Sequence, residues 1–231
     1  MSLVYIISAP SGSGKSTLVN EIKRLVDRLD FSVSYTTRPP RGSEENGREY
    51  YYTSRDVFER MIKNGEFLEY ADVFGNYYGT AKKFLDDAIV RGHDLLLDID
   101  VQGASQLQTR LPGAISIFIL PPTKQELEHR LRRRSSAERM TDEAVINRRL
   151  ETATREIEKY DKYDYILVND KLDDSIDALK AIILTERLRE ARREPSRADE
   201  QKLAELANGR RLERIKPNLG PILESFRKTT V

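Results

Sequence analysis

Residues 8–17 read SAPSGSGKST, the phosphate-binding pattern G-x-x-x-x-G-K-[ST] with Ala9 standing where the first glycine belongs. Whether this is a nucleotide loop or a look-alike turns on the backbone. Pro10 disfavours the α region for the residue before it and pushes Ala9 into an extended conformation, which alanine adopts without strain. Pro10 also lacks an N–H, so the donors that surround a phosphate must come from Gly12, Ser13, Gly14, Lys15 and Ser16. Gly12 and Gly14 permit the positive-φ turns of an amide nest, Lys15 supplies a point charge for the β and γ phosphates, and the Ser16 hydroxyl is a ligand for Mg²⁺. The candidate ATP-binding loop is the whole run Ala9, Pro10, Ser11, Gly12, Ser13, Gly14, Lys15, Ser16 and Thr17.

The flanks decide between this reading and a Gly/Ser-rich turn that binds nothing. LVYIIS, from Leu3, is a short β-rich apolar run, and in TLVNEIKRLVDRL the residues Leu18, Ile22, Leu25, Val26 and Leu29 recur at helical spacing. The loop thus joins a strand to a helix N-terminus, where N–H groups and the helix dipole favour an anion.

At 231 residues the chain is long enough for one substantial core or a core with an inserted lobe. Its 39 Lys and Arg against 38 Asp and Glu produce no global field pointing to nucleic acid or an anionic membrane, so any basic site is local. The absence of cysteine excludes disulfides and thiolate metal sites and fits a reducing compartment. LVYIISAP is too short and too uncharged at its start for a signal sequence, and no window approaches a membrane span. A cytoplasmic location is expected, and a homo-oligomer stays open.

Four runs read as buried strands of a parallel sheet: LVYIIS, DLLLDI from Asp94, AISIFIL from Ala114 and YDYILV from Tyr163. Helices are expected from Thr123, with Glu126 completing a capping box, from about Thr141 through Ile146, Leu150, Ala153, Ile157 and Tyr160, and from about Asp173 with Ile176, Leu179, Ile182 and Ile183 on one face. The alternation predicts a doubly wound α/β core over residues 1–30 and 93–190. Residues 31–92 break that rhythm and read as an inserted mixed α+β lobe. In it FSVSYTT alternates like a strand, a helix from about Arg55 to Asn64 stops at Gly65, EFLEYADVFGNYYG is a hairpin around Gly75-Asn76, and a helix from Ala81 ends at Gly92. Residues 191–231 form a polar, basic extension with Pro195, Pro217 and Pro221 and one amphipathic turn set around Leu203, Leu206 and Leu212. No chemistry is read there.

Three clusters carry candidate chemistry. Asp98 and Asp100 end an apolar strand in the manner of a Walker B sequence, whose carboxylate helps hold Mg²⁺, and strand carboxyl ends are where ligands collect in such sheets. The competing reading is a solvated turn. In the lobe, Arg38 and Arg41 flank two prolines and could present planar forks to a phosphate, with the Tyr50 and Tyr78 hydroxyls, Ser34 and Thr80 in the same lobe. Glu69 adds a carboxylate that can accept the N1–H and N2–H₂ donors of guanine, a pair that adenine lacks. Singly, each of these residues also reads as ordinary surface turn chemistry. The basic run HRLRRRSSAERM, followed by Arg148 and Arg149, is either a solvated helix face or an Arg-rich lid over about residues 131–146, neutralising a phosphoryl group in transfer.

Taken together, SAPSGSGKST, FSVSYTTRPPRGSEENGREYYY, EFLEYADVFGNYYGT, LLLDIDVQG and YDYILVND resemble guanylate kinases over about residues 3–190. The resemblance implies a P-loop doubly wound parallel sheet with an inserted nucleoside-monophosphate-binding lobe and a lid. It also implies transfer of the ATP γ-phosphoryl to GMP, and to dGMP, with Mg²⁺, in purine nucleotide metabolism and GMP recycling. Position by position, Ser34, Glu69, Thr80 and Asp98 would contact guanine, while Arg38, Arg41, Tyr50 and Tyr78 would hold the GMP phosphate. Lys15, Arg134 and Arg149 would neutralise the transferring group, with Asp100 and Ser16 at the metal. The lid is a few residues longer than the family spacing, so either Arg134 or Arg139 can be the catalytic arginine. The segment from about Arg192 runs past the family pattern as a docking helix, an oligomer contact or a disordered extension. Two other readings compete. A guanylate-kinase-like protein-binding module would have lost the phosphate loop, and a sister kinase acting on another acceptor, such as a sugar bisphosphate, would have little use for Glu69.

Overall fold

A computed structural model describes residues 2–73, 75–137 and 143–227, the side chains of 134–137 excepted. In chain order the elements are β1 (Val4–Ser8), α1 (Lys15–Leu25), β2 (Leu29–Ser32), β3 (Tyr35–Thr36), β4 (Tyr51–Tyr52), α2 (Arg55–Lys63), β5 (Phe67–Val73) and β6 (Asn76–Ala81). They continue as α3 (Lys83–Arg91), β7 (Asp94–Asp98), α4 (Val101–Arg110), β8 (Ile115–Leu120), α5 (Lys124–Ala137), α6 (Glu143–Ile157), β9 (Tyr165–Val168), α7 (Leu172–Glu190), α8 (Ala198–Asn208), α9 (Leu212–Ile215) and α10 (Gly220–Arg227). The chain divides into two compact units, one made of residues up to Ile7 with Asp27–Ile115, the other of Ser8–Val26 with the chain from Ser116 onward.

In the first unit β7 lies between β2 and β1, both parallel to it, with Ile6 and Ser32 opposite Leu97. Leu95, Leu96 and Leu97 are fully buried, as a parallel strand covered on both faces requires, and each such leucine contributes about 1.5–3 kcal/mol. FSVSYTT is not one strand. Its first half belongs to β2 beside β7, and Tyr35 and Thr36 form β3 in a second sheet of order β4-β3-β6-β5. The alternation is real, but two sheets share it, and periodicity alone does not show where a chain changes sheet.

That second sheet carries the expected hairpin, with β5 and β6 antiparallel and Val73 opposite Asn76. α2 starts at Ser54, whose hydroxyl accepts from the Val57 N–H at 3.3 Å, and it buries Phe58 against Phe67 with ring centroids 4.4 Å apart. Gly92 ends α3 in the left-handed region, at φ 64°. α4 was not foreseen, because VQGASQLQTR is polar and holds a glycine. It forms with Asp100 as its N-cap and buries Val101, Ala104 and Leu107.

In the second unit β8 and β9 pair in parallel, Phe118 opposite Ile166. Thr123 caps α5 through a bond from the Glu126 N–H at 3.1 Å, while the Glu126 carboxylate accepts from Arg130 instead of closing the capping box. The stripe Ile146, Leu150, Ala153 and Ile157 is buried on α6 as expected, and Leu179, Ile182 and Ile183 are buried on α7.

The extension beyond Arg192 is a folded part of this unit. α8 packs along α7, and the backbone at 210–212 runs antiparallel to β9, with the Ile166 N–H donating to the Arg210 carbonyl and the Leu212 N–H to that of Asp164, both at 2.9 Å. On α10 the Ser225 hydroxyl accepts from the Lys124 N–H at 3.1 Å, at the start of α5. Pro217 and Pro221, which read as breakers, stand in the first turns of short helices, where a missing N–H leaves no helical bond unmade.

Candidate active site

The phosphate loop leads from β1 into α1. Gly12 and Gly14 have φ of 92° and 87°, the left-handed values that the sequence demands of them. Gly14 is the N-cap of α1 and brings no side chain to cap its first turn. Lys15 is half-buried at the first position of the helix, and Ser16 and Thr17 follow it, exposed. The loop is braced from behind. Asn169, buried just past β9, donates its side-chain amide to the Ser13 carbonyl at 2.7 Å, and a Cβ added at Gly14 would strike that amide. Arg130 donates to the Asn169 carbonyl at 3.2 Å from both terminal nitrogens and to Glu126 at 2.7 Å.

A basic and aromatic cluster forms in the first unit around Arg38, which is only 6% exposed. Its guanidinium pairs with Glu44 at 2.9 Å, donates to the Pro39 carbonyl at 2.7 Å, and lies 5.4 Å from the centroid of the Tyr50 ring. Burial opposes the Arg38 charge, but Glu44 outweighs it and the guanidinium pKa is raised. Glu44 also accepts from the Arg41 backbone N–H at 2.8 Å and the Tyr52 hydroxyl at 2.9 Å. Partial burial works against its ionisation, yet these donors and Arg38 hold its pKa below the usual carboxylate value. Tyr50 meets Tyr78 edge to face at 5.7 Å, and burial, followed by the nearby charge of Asp98, raises the Tyr50 pKa and keeps its hydroxyl a proton donor. Arg41 itself is exposed.

Glu69 on β5 faces Thr80 on β6 in register, and the Thr80 hydroxyl donates to its carboxylate at 2.6 Å. With 4% exposure, Glu69 has little water to stabilise its charge, and burial pushes its pKa up to about 7 although Thr80 pulls the other way. A carboxylate held this dry favours any ligand that brings two N–H donors. Ser34, also buried, accepts through its carbonyl from the Tyr51 N–H at 2.9 Å. Asp98 ends β7 half-buried, and Asp100 accepts from the Gly103 N–H at 2.7 Å as the cap of α4.

A guanylate kinase family model matches residues 1–186. A guanylate kinase of Koribacter versatilis is 58% identical over 186 residues, covering 80% of this chain and 79% of that one. The chain belongs to the guanylate kinase family. It is accordingly an enzyme, a nucleotide-binding transferase that moves a phosphoryl group from ATP to GMP. The guanylate kinase of Escherichia coli K12 is 46% identical over 191 residues, covering 82% of this chain and 90% of that one. The crystal structure of a guanylate kinase from Anaplasma phagocytophilum superposes with a TM-score of 0.66 at 34% identity over 80% of this chain and 86% of that one, which establishes the P-loop kinase fold with its inserted lobe.

Within this guanylate kinase, Arg38, Tyr50 and Tyr78 stand together, Glu69 is bonded to Thr80, and the charge of Asp98 acts on Tyr50. Arg149 is half-buried on α6. The Arg134 side chain and Arg139 lie outside the described residues, and so do residues 138–142 of the segment 131–146 that reads as a lid. In the basic run, Arg130 is bonded to Glu126 and Asn169, and Arg132 pairs on the exposed face with Glu128 and Glu143. Sequence reasoning missed three supporting residues, Glu44, Asn169 and Gly103. A carboxylate three residues after Arg41 was the available signal for Glu44; nothing in the sequence ties Asn169 to a loop more than 150 residues away.

Proposed function

We propose that the lobe of the first unit binds GMP by its guanine edge and its phosphate, while the phosphate loop of the second unit holds the β and γ phosphates of ATP. Glu69 accepts from guanine N1–H and N2–H₂, with Thr80, Ser34 and Asp98 around the base. Arg38, Arg41, Tyr50 and Tyr78 take the phosphate, and Glu44 keeps Arg38 in place. A GMP phosphate oxygen then attacks the γ phosphorus, the bond from that phosphorus to the β–γ bridging oxygen breaks, and ADP leaves. Lys15, Arg149 and Arg134 or Arg139 neutralise the charge on the group in transfer. dGMP, which carries the same base edge and the same phosphate, is an acceptor on this reading as well.

The donor set fits Mg²⁺. Among the described residues no group of three or more His, Cys, Asp or Glu could hold a metal by itself, and Mg²⁺ in phosphoryl-transfer sites needs only one or two protein oxygens beside phosphates and water. Ser16 on the first turn of α1 and Asp100 at the start of α4 would supply those oxygens. When bound, the ion offsets the negative charge of the ATP phosphates.

The observation that carries this reading is Glu69, a carboxylate buried in the lobe and held there by Thr80. A coupled assay for ADP formation with Mg·ATP and, in turn, GMP, dGMP, AMP, CMP, UMP and no acceptor tests it. Turnover confined to GMP and dGMP is expected; turnover with another acceptor overturns the role of the lobe. No helix among the described residues is long and apolar enough to cross a membrane, and we place the enzyme in the cytoplasm with its soluble substrates.

A further inference from the structure

We infer that Gly103 is a specificity-determining residue for guanine, because its missing side chain is the space in which the Glu69 carboxylate is held. The inference rests on Glu69 being the reader of the base. Gly103 lies buried in the first turn of α4, with its N–H donated to the Asp100 cap at 2.7 Å, and that cap fixes where its Cα stands. The nearest atoms to a Cβ built there belong to Glu69. The Cβ would overlap Oε2 and would come within 2.9 Å of Cδ.

The overlap falls on the far end of a flexible side chain, so the fold can give way by moving the carboxylate. It has little room to do so. Glu69 is 4% exposed, and its Oε1 is already bonded to the Thr80 hydroxyl at 2.6 Å. The pair Thr80 and Gly103 therefore grips the carboxylate from two sides, one by a hydrogen bond and one by close approach. A methyl group at 103 would push Oε2 off its position while leaving the helix itself better formed, since alanine is the better helix former. Local propensity argues for alanine at this site and the Glu69 contact argues against it. The glycine is explained by the base-reading carboxylate and not by the helix.

The chemical consequence is selective. Two parallel bonds from guanine N1–H and N2–H₂ need both carboxylate oxygens aligned with the base edge, whereas hypoxanthine, which lacks the 2-amino group, asks for only one. Moving Oε2 harms GMP more than IMP. The same Cβ would stand 3.5 Å from Asp100 Oδ1, an ordinary contact, so the carboxylate assigned to the metal stays in place and ATP binding is spared.

The test is a double-mutant cycle of Gly103→Ala and Glu69→Ala in the full-length chain, read by KM for GMP, IMP and ATP, by kcat, and by Tm. For Gly103→Ala the KM for GMP is expected to rise about tenfold or more, with the GMP-over-IMP preference reduced, the KM for ATP within about twofold, and the Tm not lowered. In the Glu69→Ala background, where nothing is left to strike, the same substitution is expected to change nothing further. A wild-type KM for GMP in Gly103→Ala, alongside a raised one in Glu69→Ala, overturns the role of Gly103 and leaves the guanine reading standing. An additional loss from Gly103→Ala in the Glu69→Ala background, or a chain that no longer folds, would make the glycine a packing requirement and overturn it as well. An unchanged KM for GMP in Glu69→Ala sinks the guanine reading and this inference with it.

Discussion

The phosphate loop is built of backbone and the lobe site of side chains, and this difference in material governs what each can recognise. The loop offers amides at the start of α1, held open by Gly12 and Gly14, and any phosphate chain of the right length satisfies them. The lobe offers Glu69, Thr80, Arg38 and Tyr50, each buried or half-buried and each at a cost in lost hydration that only a matching ligand offsets. On the proposed reading, general affinity resides in the first region and discrimination in the second. The two also differ in what a single change does, because removing a side chain from the loop removes charge, whereas removing one from the lobe removes fit.

The largest effect is expected in the loop. Lys15→Ala should lower kcat by about 10²–10³-fold, as loss of a group that neutralises charge in the transition state does, with the KM for GMP nearly unchanged. Steady-state assay with GMP as varied substrate checks this, and a wild-type kcat would remove the loop from the chemistry. Glu69→Ala should do the reverse. A lost charged hydrogen bond of about 2 kcal/mol raises the KM for GMP roughly thirtyfold and leaves the KM for ATP alone. If both variants changed both constants equally, the division between the two regions would be broken.

How far each region was legible in the sequence follows from the same contrast. A backbone site is written locally: glycines at the φ > 0 positions, a proline that excuses Ala9, a strand before and a helix after, all inside residues 3–29. A side-chain site is assembled from residues that only the fold brings together. Glu69 and Thr80 are cross-strand partners, and Gly103 reaches Glu69 from a helix on the far side of β7 in sequence. From the residues alone, each carried an ordinary surface reading, and the resemblance to a family was what gathered them. The chain's change of sheet between β2 and β3 and the whole of α4 escaped for a related reason, since a two-residue bend and a polar helix leave no periodic trace. The packing of α8, α9 and α10 was hidden by prolines that stand where helices tolerate them.

Acidity sharpens the comparison further. Glu69, with its pKa raised to about 7, loses its charge as pH falls through neutrality and with it the ability to accept both guanine donors. The KM for GMP should rise about tenfold from pH 8 to pH 6. The nucleotide's own phosphate titrates too, so the readout is the ratio to Glu69→Gln, in which that phosphate cancels; a ratio independent of pH would break the assignment. Stability gives the sign independently. Because the folded pKa lies above the unfolded value, the folded state holds a proton that the unfolded state has released between about pH 4.5 and pH 7. The stabilisation is present below that window and lost as pH rises through it. Glu69→Gln, which keeps an acceptor for Thr80, should therefore flatten the fall in Tm over this interval.

The smallest effect is expected where the backbone site leans on a side chain. Asn169 gives the Ser13 carbonyl its side-chain donor and fills the space that a Cβ on Gly14 would need, so the loop's shape is partly set from outside its own sequence. Asn169→Ala removes one neutral hydrogen bond of about 1 kcal/mol and leaves a buried carbonyl short of a partner, which is roughly a fivefold change if the whole loss falls on ATP binding. The KM for ATP should rise by about that factor, with the KM for GMP unmoved. An Asn169→Ala enzyme with a wild-type KM for ATP would show that Gly12, Gly14 and Pro10 shape the nest unaided, and the contrast between a locally written loop and a globally assembled lobe would then be complete. A change in the KM for GMP alone would instead mean that the two nucleotide sites are coupled through this side chain, and the separation of affinity from discrimination would fail at that point.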